Sequence, residues 1–481
     1  MSSVPDIPSE PVHPKDWPKH PRKKMLMTPL MATVGAMLAF ATVVFMVVFL
    51  PTTTFEPEPA ANWRPLTDQE MQGRNVFLAN GCIYCHSGFT RPQDAFAGQY
   101  YVYSRVSEPG DYTGPGETPN LFGTIRTGPD LSQAGGYHPD DWHKAHYDNP
   151  RNTTPLSIMP SFSFLQDKDL AALLAFTQSR GGKEALLRTT AQQIAKQLML
   201  INMGVYDPQK QFPDLVQQLQ DKGVYRPDGK PSDKSPSGLP WMAVWMMNSF
   251  ERSYWLTNDP LPVTQENLIR GKEIFMERCI GCHGSQGDGA GPANQFLLPN
   301  AFNFTDTSMT GVTGPFASDG MFYYRILVGG HGTAMENFGT RLSVEDIWRV
   351  VLFLRTIQNG SLKPDAGVPT VDMWTEWTPP QPMIDYIDAH PIQDGPGVNT
   401  GAEEDDPFSA AASWVAPGMA AGDEIFVGGK LPMSQALLTD LIRQTYFQKL
   451  NQAISESQAR GDDLPEHDHL TSTTGLVFHA P

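Results

Sequence analysis

Apolar and polar positions divide the chain before any single residue is considered. Residues 1–24 are polar and Pro-rich and end in the basic cluster Lys19, Arg22, Lys23 and Lys24. Met25 to Leu50 then run for 26 residues without a charge and are closed by Pro51. About 20 apolar residues cross a bilayer as a helix, so residues 25–50 predict a transmembrane helix with some tilt. A cleaved leader has a shorter apolar stretch, about 7–15 residues, followed by a small-residue cleavage site. Pro-Thr-Thr-Thr-Phe-Glu after Leu50 suits cleavage poorly, so an uncleaved anchor is expected. Basic residues precede it, which predicts a cytoplasmic N-terminus and everything after Pro51 outside.

Beyond a Pro-rich spacer (52–66), the pattern becomes that of helices. Thr67-Asp68-Gln69-Glu70 has the form of a capping box and predicts a helix start. That helix carries Gly73, Val76 and Phe77 and runs into Cys82; Thr264, Gly271, Ile274 and Phe275 repeat the spacing before Cys279. One domain type used twice is expected. The glycine lets a second helix cross closely, and the aromatic packs inward. The crossing helices are predicted at 168–180, opened by Asp167 and stopped by Gly181-Gly182, and at 344–358, opened by Ser343 and Asp346 and stopped by Asn359-Gly360. They frame domains at 65–182 and 262–360.

Residues 183–261 read as a linker with helical segments, beginning with a helix from Lys183 to Asn202. Its apolar run Leu239–Met247 is too short to span a membrane. That run suits either an interface, with membrane or partner, or burial against the second domain. Residues 361–481 read as an irregular, acidic, Pro-rich extension. The fold class expected is thus mainly α: one N-terminal transmembrane helix, two domains of one type and this extension.

The chemistry lies at the ends of the two repeated helices, in Cys82-Ile83-Tyr84-Cys85-His86 and Cys279-Ile280-Gly281-Cys282-His283. Cys-x-x-Cys-His is the attachment run for c-type haem: each thiol forms a thioether, and the histidine lies under the iron. The two runs use all four cysteines. Structural zinc would bring two Cys-x-x-Cys pairs within about 15–20 residues, whereas position 279 lies far beyond position 82. A thioredoxin-like dithiol would need a βαβ context, which is absent. Two covalently attached haem c groups are therefore expected, through Cys82, Cys85, Cys279 and Cys282, with His86 and His283 as proximal ligands.

An electron-carrying haem c usually takes methionine as its sixth ligand, from a loop just before the last helix. Met159 fits in the first domain, where no other methionine lies between Met71 and Met199. In the second, Met309, Met321 and Met335 compete. Met335 has the same Met-x-x-Phe spacing and the same place, and is the one expected. The minority alternatives are His138, His143, His146 and His331, read instead as surface or hydrogen-bonding residues. Gly128-Pro129-Asp130-Leu131 resembles the cytochrome c loop whose proline carbonyl accepts the proximal histidine Nδ1 proton. Pro299 is the corresponding, weaker candidate in the second domain. Gly284–Pro292 is glycine-rich but lacks the Gly-Lys-Ser/Thr ending of a phosphate loop and reads as a chain reversal.

Charge changes the picture at one end only. The net charge of −17 argues against nucleic-acid binding, and residues 361–481 supply −13 of it, from 18 Asp/Glu against 5 Lys/Arg. Such a tail is suited to steering a basic donor protein.

From Gly81 to Leu165 the likeness is closer than to cytochrome c in general. The run Cys82–His86, Arg91-Pro92, Arg126-Thr127-Gly128-Pro129-Asp130-Leu131, Gly135-Gly136, Trp142-His143, His146, Asn149-Pro150-Arg151 and Met159-Pro160 resembles the membrane-anchored mono-haem subunit (subunit II) of cbb3-type oxidases. The resemblance covers roughly the first 180 residues. It implies His86 and Met159 as axial ligands and electron delivery to a haem–copper catalytic subunit. The chain departs from the family at Ser87–Pro92, over 104–125, and above all by continuing into a second domain. That domain resembles the class I cytochromes of the dihaem subunit of the same oxidases.

Together these readings predict a dihaem cytochrome c, anchored once in a bacterial inner membrane, with its haem domains in the periplasm. The expected partners are a haem–copper catalytic subunit, other membrane subunits, and a soluble cytochrome or cupredoxin donor. No catalytic residues are expected in the chain itself. Its rivals are a cytochrome subunit of a nitric oxide reductase or dehydrogenase, and a dihaem peroxidase.

Overall fold

A computed structural model describes residues 29–50, 59–92, 106–112, 119–123, 125–226, 234–235, 238–306, 314–357, 367–391, 406–419 and 422–464. It comprises two units, Met1–Pro57 and Glu58–Pro481. In the first, helix α1 (Pro29–Phe49) is 21 residues long and buries none of them. Its only hydroxyls in hydrogen bonds, Thr33 and Thr42, donate to the Pro29 and Leu38 carbonyls one turn back. Both hydroxyls are thus satisfied within the helix, as a lipid environment requires. It is long and apolar enough to cross a membrane. The basic cluster at 19–24 lies outside the described residues.

The second unit begins with α2 (Asp68–Ala79). Thr67 Oγ1 accepts from the Glu70 N–H at 3.3 Å, while Glu70 Oε2 accepts from the Thr67 N–H at 2.7 Å, so the capping box forms in full. Next come α3 (Asp140–Asp148) and α4 (Asp167–Ser179). A Cβ at Gly73 would overlap the Ala172 carbonyl, so glycine is what lets α2 and α4 cross. Phe77 and Phe176 meet at that crossing, 5.5 Å between ring centres, in a core with Leu66, Leu121, Tyr147, Leu173 and Leu174.

Helices α5 (Gly182–Asn202) and α6 (Trp241–Asn248) follow, and then the pattern repeats. In the second repeat α7 (Gln265–Arg278) crosses α9 (Val344–Ile357), with α8 (Asp319–Val328) between them in sequence. A Cβ at Gly271 would overlap the Arg349 carbonyl, and Phe275 meets Phe353 at 5.5 Å. The two crossings match residue for residue. Ser343 Oγ accepts from the Asp346 N–H at 3.1 Å at the start of α9.

The remainder is α10 (Gln381–Ala389), α11 (Pro407–Val415), the antiparallel hairpin β1 (Glu424–Val427) and β2 (Leu431–Ser434), and α12 (Gln435–Ala459). In the hairpin, Ile425 pairs with Met433 and Val427 with Leu431. Here the structure departs from the sequence reading. Residues 183–261 are no mere linker, because α5 is buried on nearly every side and has to be enclosed. The C-terminal extension encloses it. Leu198, Ile201, Val244, Met383, Ala411, Val427, Ile442 and Tyr446 share one core, so the extension is regular where it is described rather than irregular. The run Leu239–Met247 is absorbed there too, as α6, with Trp241 beside Phe426; the same core takes Phe316, Met321 and Tyr324 from the second repeat. The most acidic parts of the extension lie outside the described residues.

Candidate functional site

Each Cys-x-x-Cys-His run sits where the first helix of its repeat ends. Gly81, at φ 69°, turns the chain out of α2 into the tight turn Cys82–Tyr84, while α7 passes directly into Ile280–His283. The His86 N–H donates to the Cys82 carbonyl at 3.0 Å, and the His283 N–H to the Cys279 carbonyl at 2.9 Å. That one helical turn sets the first cysteine and the histidine of each run on the same side.

Both imidazoles are oriented from behind. His86 Nδ1 lies 2.9 Å from the Pro129 carbonyl, and a Cβ at neighbouring Gly128 would overlap the ring. His283 Nδ1 lies 3.0 Å from the Phe302 carbonyl. This corrects the expectation for Pro299: the acceptor is three residues further on. The turn is held there by Asn294 Oδ1, which accepts from the Ala301 N–H at 2.7 Å and so brings the 302 carbonyl under the ring. An imidazole that donates through Nδ1 keeps Nε2 for a metal. Burial, the main cause, pushes both rings below their ordinary pKa, against the pull of the two carbonyls. They are therefore neutral, as ligation requires.

The two methionines are placed alike. The Met159 N–H donates to Ser157 Oγ and the Met335 N–H to Thr333 Oγ1, each at 3.3 Å. Three residues on, the Phe162 N–H donates to the Tyr147 carbonyl of α3 at 2.8 Å, and the Phe338 N–H to the Ile326 carbonyl of α8 at 3.0 Å. Met159 packs on the core that takes Cys82 and Ile83; Met335 packs on the core that takes Cys279 and Ile280. Of the competitors, Met321 is 2% exposed in the third core, and Met309 lies outside the described residues.

The thiols are unpaired, and burial pushes Cys82 up to about 11 and both Cys279 and Cys282 up to about 12. Among the described residues, no three His, Cys, Asp or Glu side chains are grouped to hold a bare metal ion. Two thiols, a neutral imidazole oriented through Nδ1 and a thioether on the same core fit haem c.

The first site also has a polar girdle. Asp130 Oδ2 accepts from the Ser87 hydroxyl at 2.5 Å and from the Phe89 N–H at 3.1 Å, and Arg126 Nε donates to Ser87 Oγ at 2.6 Å. The sequence marks neither Arg126 nor Asp130 for this work, and it predicts the four alternative histidines at the surface or in hydrogen bonds. His138, His143 and His331 are buried, and His146 is hydrogen-bonded from Nδ1 to Thr153 Oγ1 at 2.7 Å.

In their surroundings the sites part company. Tyr84 is 76% exposed, Leu156 85% and Ile158 76%, so the first site borders open surface. Gly281, in the place of Tyr84, is buried against the backbone of Asn152, where a Cβ would overlap the carbonyl. Ala334, next to Met335, is also buried, in a small core with Trp142, Ala145, Ala293 and Leu297 on which Cys282 packs.

Helix pairs crossing at a glycine, each ending in Cys-x-x-Cys-His with an oriented imidazole, define a c-type cytochrome. Residues 22–202 match the family described as cytochrome c oxidase, mono-haem subunit/FixO, and residues 268–358 match the cytochrome c family. The chain thus combines a FixO-like segment with a cytochrome c domain, which supports an electron-transfer protein of the kind that carries covalently bound haem c. Among solved structures, a chain of a Kuenenia stuttgartiensis reducing HAO-like protein complex aligns at 16% identity, over 63% of this chain and 100% of that one, with a TM-score of 0.19. No curated protein matches the chain.

Proposed function

We propose that the chain is a membrane-anchored dihaem cytochrome c that relays electrons from a soluble periplasmic donor to the catalytic subunit of a haem–copper terminal oxidase. The observation that carries this is the doubled geometry: two runs with oriented histidines, each sharing a core with one methionine. Cys82 and Cys85 would hold one haem, with His86 and Met159 as axial ligands. Cys279 and Cys282 would hold the other, with His283 and Met335. Haem iron, when bound, takes up and releases one electron at a time, and axial ligands and surroundings set its potential.

The chain's own contribution is positional. The Pro129 and Phe302 carbonyls fix the imidazoles, the crossings at Gly73 and Gly271 fix the helices that bear the cysteines, and the cores exclude water. Helix α1 supplies a single anchor, with the N-terminus in the cytoplasm and the haem domains in the periplasm of a bacterial inner membrane. The open border of the first site supports its haem as the one nearer the oxidase partner, with the acidic extension steering a basic cytochrome or cupredoxin donor.

The test is native purification from membranes followed by a donor-oxidation assay. A co-purifying haem–copper subunit that oxidises the reduced donor through this chain is the expected result. Co-purification with a nitric oxide reductase or dehydrogenase subunit instead would refute the oxidase assignment. Turnover of peroxide by the isolated chain would replace the relay with a peroxidase.

A further inference from the structure

The sequence places Trp142 in the first domain and Glu336 beside the methionine of the second, and nothing in either run links them. In the fold they meet. Trp142 Nε1 donates to Glu336 Oε1 at 2.8 Å, and Arg341 Nη1 donates to Glu336 Oε2 at 2.6 Å. The Glu336 side chain is 9% exposed, so this carboxylate is buried with a donor on each oxygen.

Trp142 is itself clamped. His138 stacks on its indole at 3.7 Å and His146 at 4.6 Å between ring centres, with interplanar angles of 10° and 13°. His146 continues the column toward the first site, where its ring meets that of Tyr147, a member of the core that takes Cys82. On the other side, Glu336 directly follows Met335, and Cys282 packs on the small core that holds Trp142 and Ala334. Asp141, next to Trp142, fastens the same junction by accepting from the Leu298 N–H at 3.0 Å and from Lys196. The junction is closed, built from both domains, and centred on one carboxylate beside the second haem run.

We propose that Trp142 and Glu336 are positioning residues that couple the two haem sites: the first domain, through Trp142, holds and tempers the charge that sets the potential of the second haem. The inference rests on the dihaem reading above. A buried negative charge beside a haem favours its oxidised form and lowers its potential, because the interior screens charge poorly. Donors on that carboxylate spread its charge and weaken the effect. The two residues therefore act in opposite directions.

Spectroelectrochemical titration of the full-length protein carrying its haems tests this, with haem content and thermal midpoint measured on the same samples. Glu336→Gln should raise one midpoint potential and leave the other where it was. Trp142→Phe, which keeps the ring in its stack but removes the N–H, should lower that same potential by a smaller shift. A purely structural role would move both variants the same way, or lower stability with the potentials fixed; either outcome overturns the coupling. Should Glu336→Gln not fold, Trp142→Phe alone decides, by the direction of its single shift. Two haems with potentials insensitive to both substitutions would defeat the coupling and leave the dihaem reading standing. A chain with fewer than two haems would defeat both.

Discussion

Tyr84 and Gly281 hold the same place, third in their respective Cys-x-x-Cys-His runs, and they teach different things about the two domains. Tyr84 is 76% exposed. Gly281 touches the Asn152 backbone of the other domain so closely that no side chain fits. The internal architecture is the same twice: glycine crossing, phenylalanine pair, oriented histidine, hydroxyl-braced methionine. What differs is what each site faces. The first repeat presents its haem-binding edge outward, and the second spends the equivalent edge on packing against the first. The proposed relay needs one edge for a partner and one for its neighbour, and the chain would divide those duties between its domains.

The contrast can be broken most sharply at the ligands. Met159→His and Met335→His should each abolish the weak methionine–iron absorption band of one haem and spare the other. Loss of both bands from one substitution, or of neither, would contradict the paired assignment. Next comes Gly281→Ala. It forces a Cβ into the Asn152 carbonyl and should destabilise the protein by about 1–3 kcal/mol, as overpacking does. Tyr84→Ala, at the matching open position, should stay within about 0.5 kcal/mol. Equal denaturation midpoints for the two variants would remove the asymmetry.

A smaller effect depends on pH and lies where the chain enters the second domain. The Asp259 carboxyl is pushed up to about 7, chiefly by burial, with neighbouring Asp319 raising it further against the pull of Arg355. Its folded-state pKa lies above the ordinary carboxylate value of 3.8, so the folded state holds the proton more tightly. Stability from this group is present below the ordinary value and is lost as pH rises from there to about 7. Asp259→Asn should therefore stabilise the protein at pH 8 by about 1 kcal/mol, allowing for solvent screening, and do nothing near pH 4. Thermal melts at the two pH values should show that difference, and a gain that is larger in acid would reverse the sign argued here.

Much of this was legible in the sequence because it is local. The apolar run at 25–50, the capping box at Thr67 and Glu70, the two glycines and the Met-x-x-Phe spacing are short patterns whose physics is settled within a few residues. What escaped was long-range. No feature of residues 183–261 says that α5 will be enclosed by helices more than 200 positions later, so a core element reads as a linker and an ordered extension reads as irregular. The backbone carbonyl under His283 escaped for another reason. Any residue can present a carbonyl, so nothing in the letter Phe302 marks it, whereas Pro129 stands in a recognisable run. The Trp142–Glu336 pair had half a signal, since Glu336 lies beside Met335, but their meeting depends on how the domains dock.

On the proposed function, one chain carries two haem c groups of unlike surroundings. Quantifying covalent haem per chain tests it most directly, in the full-length protein and in the paired variants Cys82→Ala/Cys85→Ala and Cys279→Ala/Cys282→Ala. Two haems are expected in the parent chain and one in each variant, with the two single-haem proteins showing different reduction potentials. A parent chain with a single haem, or with none that survives denaturation, would contradict it.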